Sequence, residues 1–113
     1  MFREIKYHKN HFFEFYEKQT EKVKDKIDYV LELIEKVERV PQNFLKHMEG
    51  TDGLYEIRVQ SGNNIFRVFC FFDAGKLIVL MNGFQKKTDK TPKKEIEKAE
   101  LLREEYFEEK KII

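Results

Sequence analysis

The feature that most constrains the fold of this chain is a run of three apolar segments between residues 54 and 84. Segments 54–60, 65–73 and 76–84 are rich in β-branched and aromatic residues, which favour β-strands. They are separated by Ser61-Gly62-Asn63-Asn64 and Asp73-Ala74-Gly75-Lys76, and the glycines allow the positive φ that tight turns require. We therefore predict an antiparallel meander of three strands.

The first turn determines which side chains of the first hairpin share a face. If Gly62 and Asn63 form a two-residue loop, Arg58 lies directly opposite Arg67. Because side chains alternate between the two faces of a strand, the other face of this hairpin is then apolar. We expect it to pack against helices, and it consists of Tyr55, Ile57, Val59, Phe66, Val68 and Cys70.

The second turn sets the position of the third strand. If Ala74 and Gly75 form a two-residue loop, Arg67 faces Asn82, and Arg58, Arg67 and Asn82 form one row across the sheet. The residues Asp-Ala-Gly also fit a bulged three-residue turn. Further from the first turn, the arginine face carries an apolar patch that must be covered, made of Phe69, Phe71, Ile78 and Leu80.

A helix near the C-terminus is the predicted cover for this patch. Thr91 is placed to cap it, and Pro92 suits its first turn. A partner protein or a second copy of the chain would satisfy the same requirement. The apolar stripe of this helix consists of Ile96, Ala99, Leu102 and Tyr106.

The first forty residues predict a short strand followed by a helical hairpin. Residues 2–7 show the imperfect alternation of an edge strand. Asn10 is placed to cap a short helix that ends near Gln19, and Thr20 to cap a longer amphipathic helix. The proline after Val40 requires that helix to stop at or before this residue. With the meander, these elements predict an α+β fold whose sheet has about four strands.

Residues 42–53 have mixed periodicity and contain two glycines, so we predict a loop. Loops on rigid scaffolds often carry function. Lys46 and His47 are therefore candidates for a functional site.

Composition predicts one folded domain spanning residues 1–113, because 41% of the residues are hydrophobic and 38% are charged. No stretch approaches the ~18 apolar residues of a membrane span, and the start lacks the apolar part of a secretory signal. We expect a cytoplasmic protein without a cofactor or metal. Cys70 is the single cysteine, which excludes an internal disulfide and indicates a buried thiol.

The opposed arginines predict an anion site. Two like charges directly opposite each other cost up to about 1 kcal/mol, and an anion between them removes the repulsion. The planar guanidinium group matches the oxygens of phosphate, so Arg58 and Arg67 form a credible phosphate clamp. The alternative is that Glu56 or another carboxylate neutralises them in a structural ion-pair network.

The connection after the third strand is rich in lysine. Lysines near turns can neutralise backbone phosphates, and Phe84 could stack on a base. A lysine-rich connection alone does not predict RNA binding, but together with the two arginines it favours RNA binding. Its five lysines are Lys86, Lys87, Lys90, Lys93 and Lys94.

Four segments combine into a more specific pattern. They are Lys46-His47-Met48-Glu49-Gly50, Gly53-Leu54-Tyr55-Glu56-Ile57-Arg58, Ile65-Phe66-Arg67-Val68-Phe69, and Asn82-Gly83-Phe84-Gln85-Lys86-Lys87-Thr88 followed by Lys90-Thr91-Pro92. As a set they resemble the HigB-type, phage-derived branch of the RelE/ParE toxin superfamily. The resemblance extends from the leading strand to the closing helix.

The resemblance implies a toxin of a type II toxin-antitoxin pair. Such toxins typically enter the ribosomal A site and cut mRNA, and in this branch the antitoxin usually has a helix-turn-helix domain. The expected partners are therefore the ribosome, mRNA and a cognate antitoxin. Many relatives have histidine where this chain has Asn82, and asparagine cannot transfer a proton near neutral pH.

Position by position, the resemblance and the residue pattern together give a predicted site. The expected catalytic residues are Arg67, Arg58, Lys87 and His47, and the expected RNA-binding residues are Lys46, Asn82, Phe84, Gln85, Lys86 and Lys90. Two alternatives remain on sequence grounds, because one fold supports several targets. They are a ParE-like toxin directed at DNA gyrase and an inactive RNA-binding or interaction domain.

Overall fold

The computed structural model describes residues 1–112 as a five-stranded mixed sheet with helices on both faces. The predicted domain runs one residue further, to Ile113, which lies outside the described residues. The strand order is β1-β5-β4-β3-β2, with β1 parallel to β5 and the other neighbours antiparallel. The elements are β1 Glu4–Tyr7, α1 His11–Tyr16, α2 Glu21–Lys36, β2 Leu45–His47, β3 Tyr55–Ser61, β4 Asn64–Phe72, β5 Leu77–Lys86 and α3 Lys93–Lys111. The predicted α+β class, leading strand, helical hairpin, meander and closing helix are confirmed.

The fifth strand is the element that the sequence did not predict. β2 lies inside the segment 42–53 that we expected to be a loop, and it pairs antiparallel with β3 at the sheet edge. Its three residues are too few for an alternating pattern to appear in the sequence. The pairing opposes Lys46 to Glu56 and His47 to Tyr55.

Two of the predicted helix caps differ from the structure. The Thr20 hydroxyl accepts a hydrogen bond from the Val23 amide at 3.3 Å, as expected for an N-cap. Asn10 precedes α1, but its side chain makes no capping hydrogen bond. The N-cap of α3 is Pro92 rather than Thr91, because the extended backbone of Pro92, with ψ of 129°, delays the first helical residue to Lys93.

The register of the first hairpin is confirmed, and that of the second is shifted. Ser61 pairs with Asn64 and Arg58 with Arg67. At the second turn, however, the Asp73 amide donates to the Leu77 carbonyl at 2.9 Å. This leaves a three-residue loop at 74–76, which has the length of the alternative turn considered above but begins one residue later than Asp-Ala-Gly.

A β-bulge then shifts the second hairpin once more. Cys70 pairs with Leu80, but Val68 pairs with Gly83, so β5 has one extra residue between these two pairs. As a result Phe84, not Asn82, lies opposite Arg67. The prediction of Asn82 in the arginine row is wrong, because the turn and the bulge each move the third strand by one position.

The sheet separates two hydrophobic clusters. Phe69 and Phe71 lie beneath α3 as predicted, whereas Ile78 and Leu80 belong to the cluster on the opposite face, against α1 and α2. Val79 and Met81 take their place under α3, because the one-residue shift reverses the faces of β5. The stripe of α3 is confirmed: Ala99, Leu102 and Tyr106 are buried, and Ile96 packs against them.

Cys70 is a buried free thiol, as predicted. Burial, and then the nearby charge of Glu56, raise the pKa of this thiol well above its ordinary value. No helix within residues 1–112 combines the length and the apolar character needed to cross a membrane.

Candidate nucleic-acid interface

The arginine row lies on the same face of the sheet as α3, next to the apolar cluster that this helix covers. Strand alternation places Glu56, opposite Phe69, in one row and Arg58, opposite Arg67, in the next. Phe84 extends the arginine row onto β5, with its ring centroid 5.3 Å from that of Phe69. A two-residue turn and regular pairing thus hold the two guanidinium groups side by side.

One carboxylate lies between the two guanidinium groups. An Oε atom of Glu56 is 3.2 Å from Arg58 Nε, and the other is 3.7 Å from Arg67 Nε. Neither buried Nε makes an aligned hydrogen bond within the described residues. Glu56 therefore offsets part of the repulsion, as the alternative reading anticipated. One carboxylate against two guanidinium groups still leaves one positive charge in excess.

Arg67 is the more buried of the two arginines. Its side chain is 8% exposed against 29% for Arg58, and one terminal nitrogen donates to the Phe66 carbonyl at 3.1 Å. Burial lowers the pKa of Arg67, and the charge of Arg58 lowers it further, while Glu56 acts in the opposite direction. A guanidinium group with so high an ordinary pKa remains charged throughout the physiological range.

The two arginines line a small groove of about 190 Å³. Arg58 also lines an adjoining depression of about 410 Å³ that reaches α2. An anion that enters the groove therefore contacts the accessible Arg58 and, deeper, Arg67. The groove is lined by Asn43, Arg58, Val59, Gln60, Ile65 and Arg67.

Asn43 and Gln60 are groove residues that the sequence reasoning missed. Gln60 is two residues beyond Arg58, so strand alternation alone would have placed it on the arginine face. Asn43 lies in the segment interpreted as a loop, and no local pattern identified it. Of the described residues that line the groove, none is a histidine.

Asn82 has a different environment from the one predicted. It is buried, and its Nδ2 donates to the backbone carbonyl of Glu95 at 3.2 Å and to Glu95 Oε1 at 3.0 Å. These bonds attach β5 to the first turn of α3. Asn82 Oδ1 has no hydrogen-bond partner among the described residues. The contacts of Asn82 thus connect the sheet to its covering helix rather than line the groove.

The predicted lysines and Gln85 fall into two groups. Lys86 ends β5 on the arginine face, because it pairs with Ile65, two residues from Arg67. Lys87 and Lys90 follow in the exposed connection to α3. Gln85 points to the opposite face, where its Nε2 donates to Asn64 Oδ1 at 3.3 Å.

Lys46 and His47 are separated by the pleat of β2. Lys46 lies opposite Glu56 and therefore on the arginine face. His47 lies opposite Tyr55, with the two ring centroids 5.2 Å apart, on the face of α1 and α2. The structure thus brings Lys46, Phe84 and Lys86 to the arginine face and places His47 away from it.

The arrangement is suited to bind an anion and to stabilise developing negative charge. Two fixed guanidinium groups provide planar sets of donors, and lysines extend the positive surface along β5 and beyond it. The buried position of Arg67 strengthens its electrostatic interaction with a bound charge.

Comparison with protein-family models matches residues 14–104 to the family described as "Phage derived protein Gp49-like (DUF891)". Among solved structures, a chain of the crystal structure of the archaeal RelE-RelB complex from Pyrococcus horikoshii OT3 matches with a TM-score of 0.54. The sequence identity is 19%, and the alignment covers 74% of this chain and 93% of that chain. At this identity the likeness shows the fold alone. No match was found among curated proteins.

The family match extends from α1 into α3 and so includes every strand of the meander and both arginines. The strand order and the closing helix agree with the RelE-like fold. This chain therefore belongs to the Gp49-like, phage-derived family, and its fold is RelE-like.

Proposed function

We propose that this protein is the toxin of a type II toxin-antitoxin pair and that it cleaves mRNA on the ribosome. The observation that carries the proposal is the pairing of Arg58 with Arg67 on one sheet face, where both line the same groove. A cleft with excess positive charge on an otherwise nearly neutral chain, of net charge +1, favours an anionic polymer as ligand.

In the proposed reaction an RNA 2′-hydroxyl attacks the adjacent phosphate. The new bond joins the 2′-oxygen to phosphorus, the bond to the 5′-oxygen breaks, and a 2′,3′-cyclic phosphate forms. Negative charge accumulates on the phosphoryl oxygens, where Arg67 and Arg58 donate hydrogen bonds. Fixed donors of this kind supply about 10²- to 10³-fold each in other enzymes.

Proton transfer is assigned to lysine rather than to histidine. Lys46 shares the arginine face, and Lys87 begins the exposed connection directly after Lys86, whereas His47 lies on the other face. Near neutral pH a lysine side chain is almost fully protonated, so it cannot accept a proton unless its pKa is lowered. We therefore expect slow cleavage of free RNA and dependence on the ribosome to align the substrate.

RNA binding along the same face is assigned to Phe84, Lys86 and Lys90. Phe84 offers a half-buried ring at the end of the arginine row, and the lysines neutralise neighbouring phosphates. Gln85 is not assigned to this surface, because it lies on the opposite face of the sheet, where it binds Asn64.

The proposed partner is a cognate antitoxin with a helix-turn-helix domain, acting in the cytoplasm. A RelE-like chain is present in the archaeal RelE-RelB complex, and this supports an antitoxin as the class of partner. Co-expression with the product of the neighbouring gene tests the assignment: a stable complex and restored growth are expected. Unchanged growth arrest and no complex would contradict it.

Mapping of transcript ends after induction tests the activity directly. We expect cuts in translated mRNA that keep the phase of the codons and disappear when initiation is blocked. DNA damage with intact transcripts would instead indicate the gyrase-directed alternative. If a folded protein that binds its antitoxin causes neither transcript cuts nor DNA damage, both activities are contradicted. The remaining alternative is then an inactive RNA-binding or interaction domain.

A further inference from the structure

A second cluster of polar side chains joins the two ends of the chain. His8 follows β1, and Glu105 and Glu109 lie one turn apart on α3. One donor atom from each of these residues lies within 4.8 Å of the other two. His8 Nε2 is 2.7 Å from Glu105 Oε1. This cluster contributes nothing to the arginine groove.

The donors form a set that suits a divalent transition metal. One imidazole nitrogen and two carboxylates are ligands that Zn²⁺ uses in proteins, at ligand distances of about 2.0–2.2 Å. His8 is 4% exposed, and its ring packs nearly perpendicular to that of Tyr106, with centroids 5.6 Å apart. The imidazole is therefore fixed in place, while the two glutamate side chains are 41% and 51% exposed, so their carboxylates are accessible to an ion from solvent.

A cation already occupies the position between the carboxylates. Lys9 Nζ lies 3.1 Å from Glu105 Oε1 and 3.3 Å from Glu109 Oε1. Lys9 is the one non-glycine residue among those described with a positive φ, of 53°, and this conformation is uncommon for a lysine. The ammonium of Lys9 thus lies where a cation bound by both carboxylates would lie.

We propose that His8, Glu105 and Glu109 form a binding site for a divalent transition metal such as Zn²⁺, which replaces the ammonium of Lys9. The bound ion connects the end of β1 to the last turns of α3 and so holds the covering helix on the sheet. An imidazole ligand favours Zn²⁺ over Mg²⁺, which prefers oxygen ligands and keeps its waters. The sequence predicted no metal, since the ligands are separated by nearly the whole chain.

Titration of the purified protein with Zn²⁺ tests the proposal. We expect saturable binding of one ion per chain and a Tm raised by a few degrees, with a much smaller effect of Mg²⁺. Glu109→Gln should weaken binding by at least about tenfold, since even groups that only support metal ligands contribute 10- to 100-fold. Glu108→Gln, at an exposed neighbouring position, is the matched control and should bind as the wild type does.

The Zn²⁺ affinity of Lys9→Gln distinguishes binding at this site from adventitious binding elsewhere on the protein. Removal of the competing ammonium should tighten Zn²⁺ binding severalfold, whereas binding at another histidine would not respond. His47→Gln should leave the affinity unchanged. Absence of a Zn²⁺-dependent rise in Tm, equal affinities of the Glu109→Gln and wild-type proteins, or no gain in Lys9→Gln would each overturn the proposal.

Discussion

At the residue scale, Glu56 determines which nitrogens of the two arginines are left to bind an anion. Its carboxylate contacts the Nε edges of both arginines. One terminal nitrogen of Arg67 is bound to the Phe66 carbonyl, so the second one and those of Arg58 are left for other partners. A phosphate that binds these terminal nitrogens need not displace Glu56. We interpret Glu56 as the residue that positions the pair and limits its mutual repulsion.

Substitution of this carboxylate should therefore separate stability from RNA binding. Glu56→Gln keeps the shape but leaves the buried charge of Arg67 facing the half-buried charge of Arg58, and we expect a loss of about 1–3 kcal/mol in the free energy of unfolding. RNA should bind more tightly, because the groove gains one net positive charge. Urea denaturation and fluorescence titration measure the two effects. In Glu56→Gln/Arg58→Gln the stability should partly recover, and an additive loss would contradict the positioning role.

Gly83 illustrates a close approach between the sheet and α1. A Cβ added at this position would lie 2.5 Å from Phe15 Cδ2, so the ring must move or the strand must shift. We expect Gly83→Ala to lose about 1–3 kcal/mol of stability through overpacking. Thermal unfolding measures the loss, and Phe15→Leu should restore part of it. Equal stability of Gly83→Ala and wild type would show that the ring moves freely.

At the element scale, α3 is attached to the sheet by polar contacts as well as by its apolar stripe. Tyr106 donates its hydroxyl to Asp73 Oδ2 at 2.7 Å, and Lys110 Nζ lies 2.8 Å from the same oxygen. Arg103 donates to the Asp52 carbonyl, and Asn82 binds Glu95. These bonds distribute the attachment over the full length of the helix.

The contacts of Asp73 predict a dependence of stability on pH. The hydrogen bonds from Lys110 and Tyr106 lower the pKa of Asp73 from its ordinary 3.8. A lowered folded-state pKa contributes stability above the unfolded-state value, and this is lost as the pH falls through the folded-state value. Wild type should therefore lose more stability than Asp73→Asn on acidification below about pH 4.

Urea unfolding at pH 6 and at pH 3 measures this difference. Glu105 also has a lowered pKa, because His8 and Lys9 bind it, so both proteins lose some stability in acid. The comparison with Asp73→Asn isolates the part due to Asp73. Parallel stability profiles of the two proteins would contradict the role of Asp73 in holding α3.

The strand pairings also show which parts of the fold could be predicted from local sequence. The pairing of Arg58 with Arg67 was predicted from the two-residue loop Gly62-Asn63 and from the alternation of side chains along the strands. The structure confirms it. Asn82 was misplaced because the second turn has a three-residue loop and because the bulge between Val68 and Cys70 leaves no distinctive residue pattern. β2 and the cluster of His8 with Glu105 depend on pairings between distant segments, which local periodicity does not encode.

At the scale of the whole molecule, two hydrophobic clusters share the central strands of one sheet. Because β4 contributes to both, loss of either cluster removes support from the other. We propose that residues 1–113 unfold as a single domain. Far-ultraviolet and tyrosine-region circular dichroism should give coincident transitions, and two separate midpoints would contradict one cooperative unit.

The central claim concerns the arginine groove, and cleavage of mRNA on programmed ribosomes by purified variants tests it most directly. Arg67→Ala should remain folded, bind the antitoxin and lose about 10²-fold or more of the cleavage rate. Arg67→Lys should recover little, since an ammonium lacks the planar fork. Arg39→Ala, at an exposed position outside the groove, is the matched control and should cleave as the wild type does. A folded Arg67→Ala protein that cleaves at the wild-type rate would contradict the account.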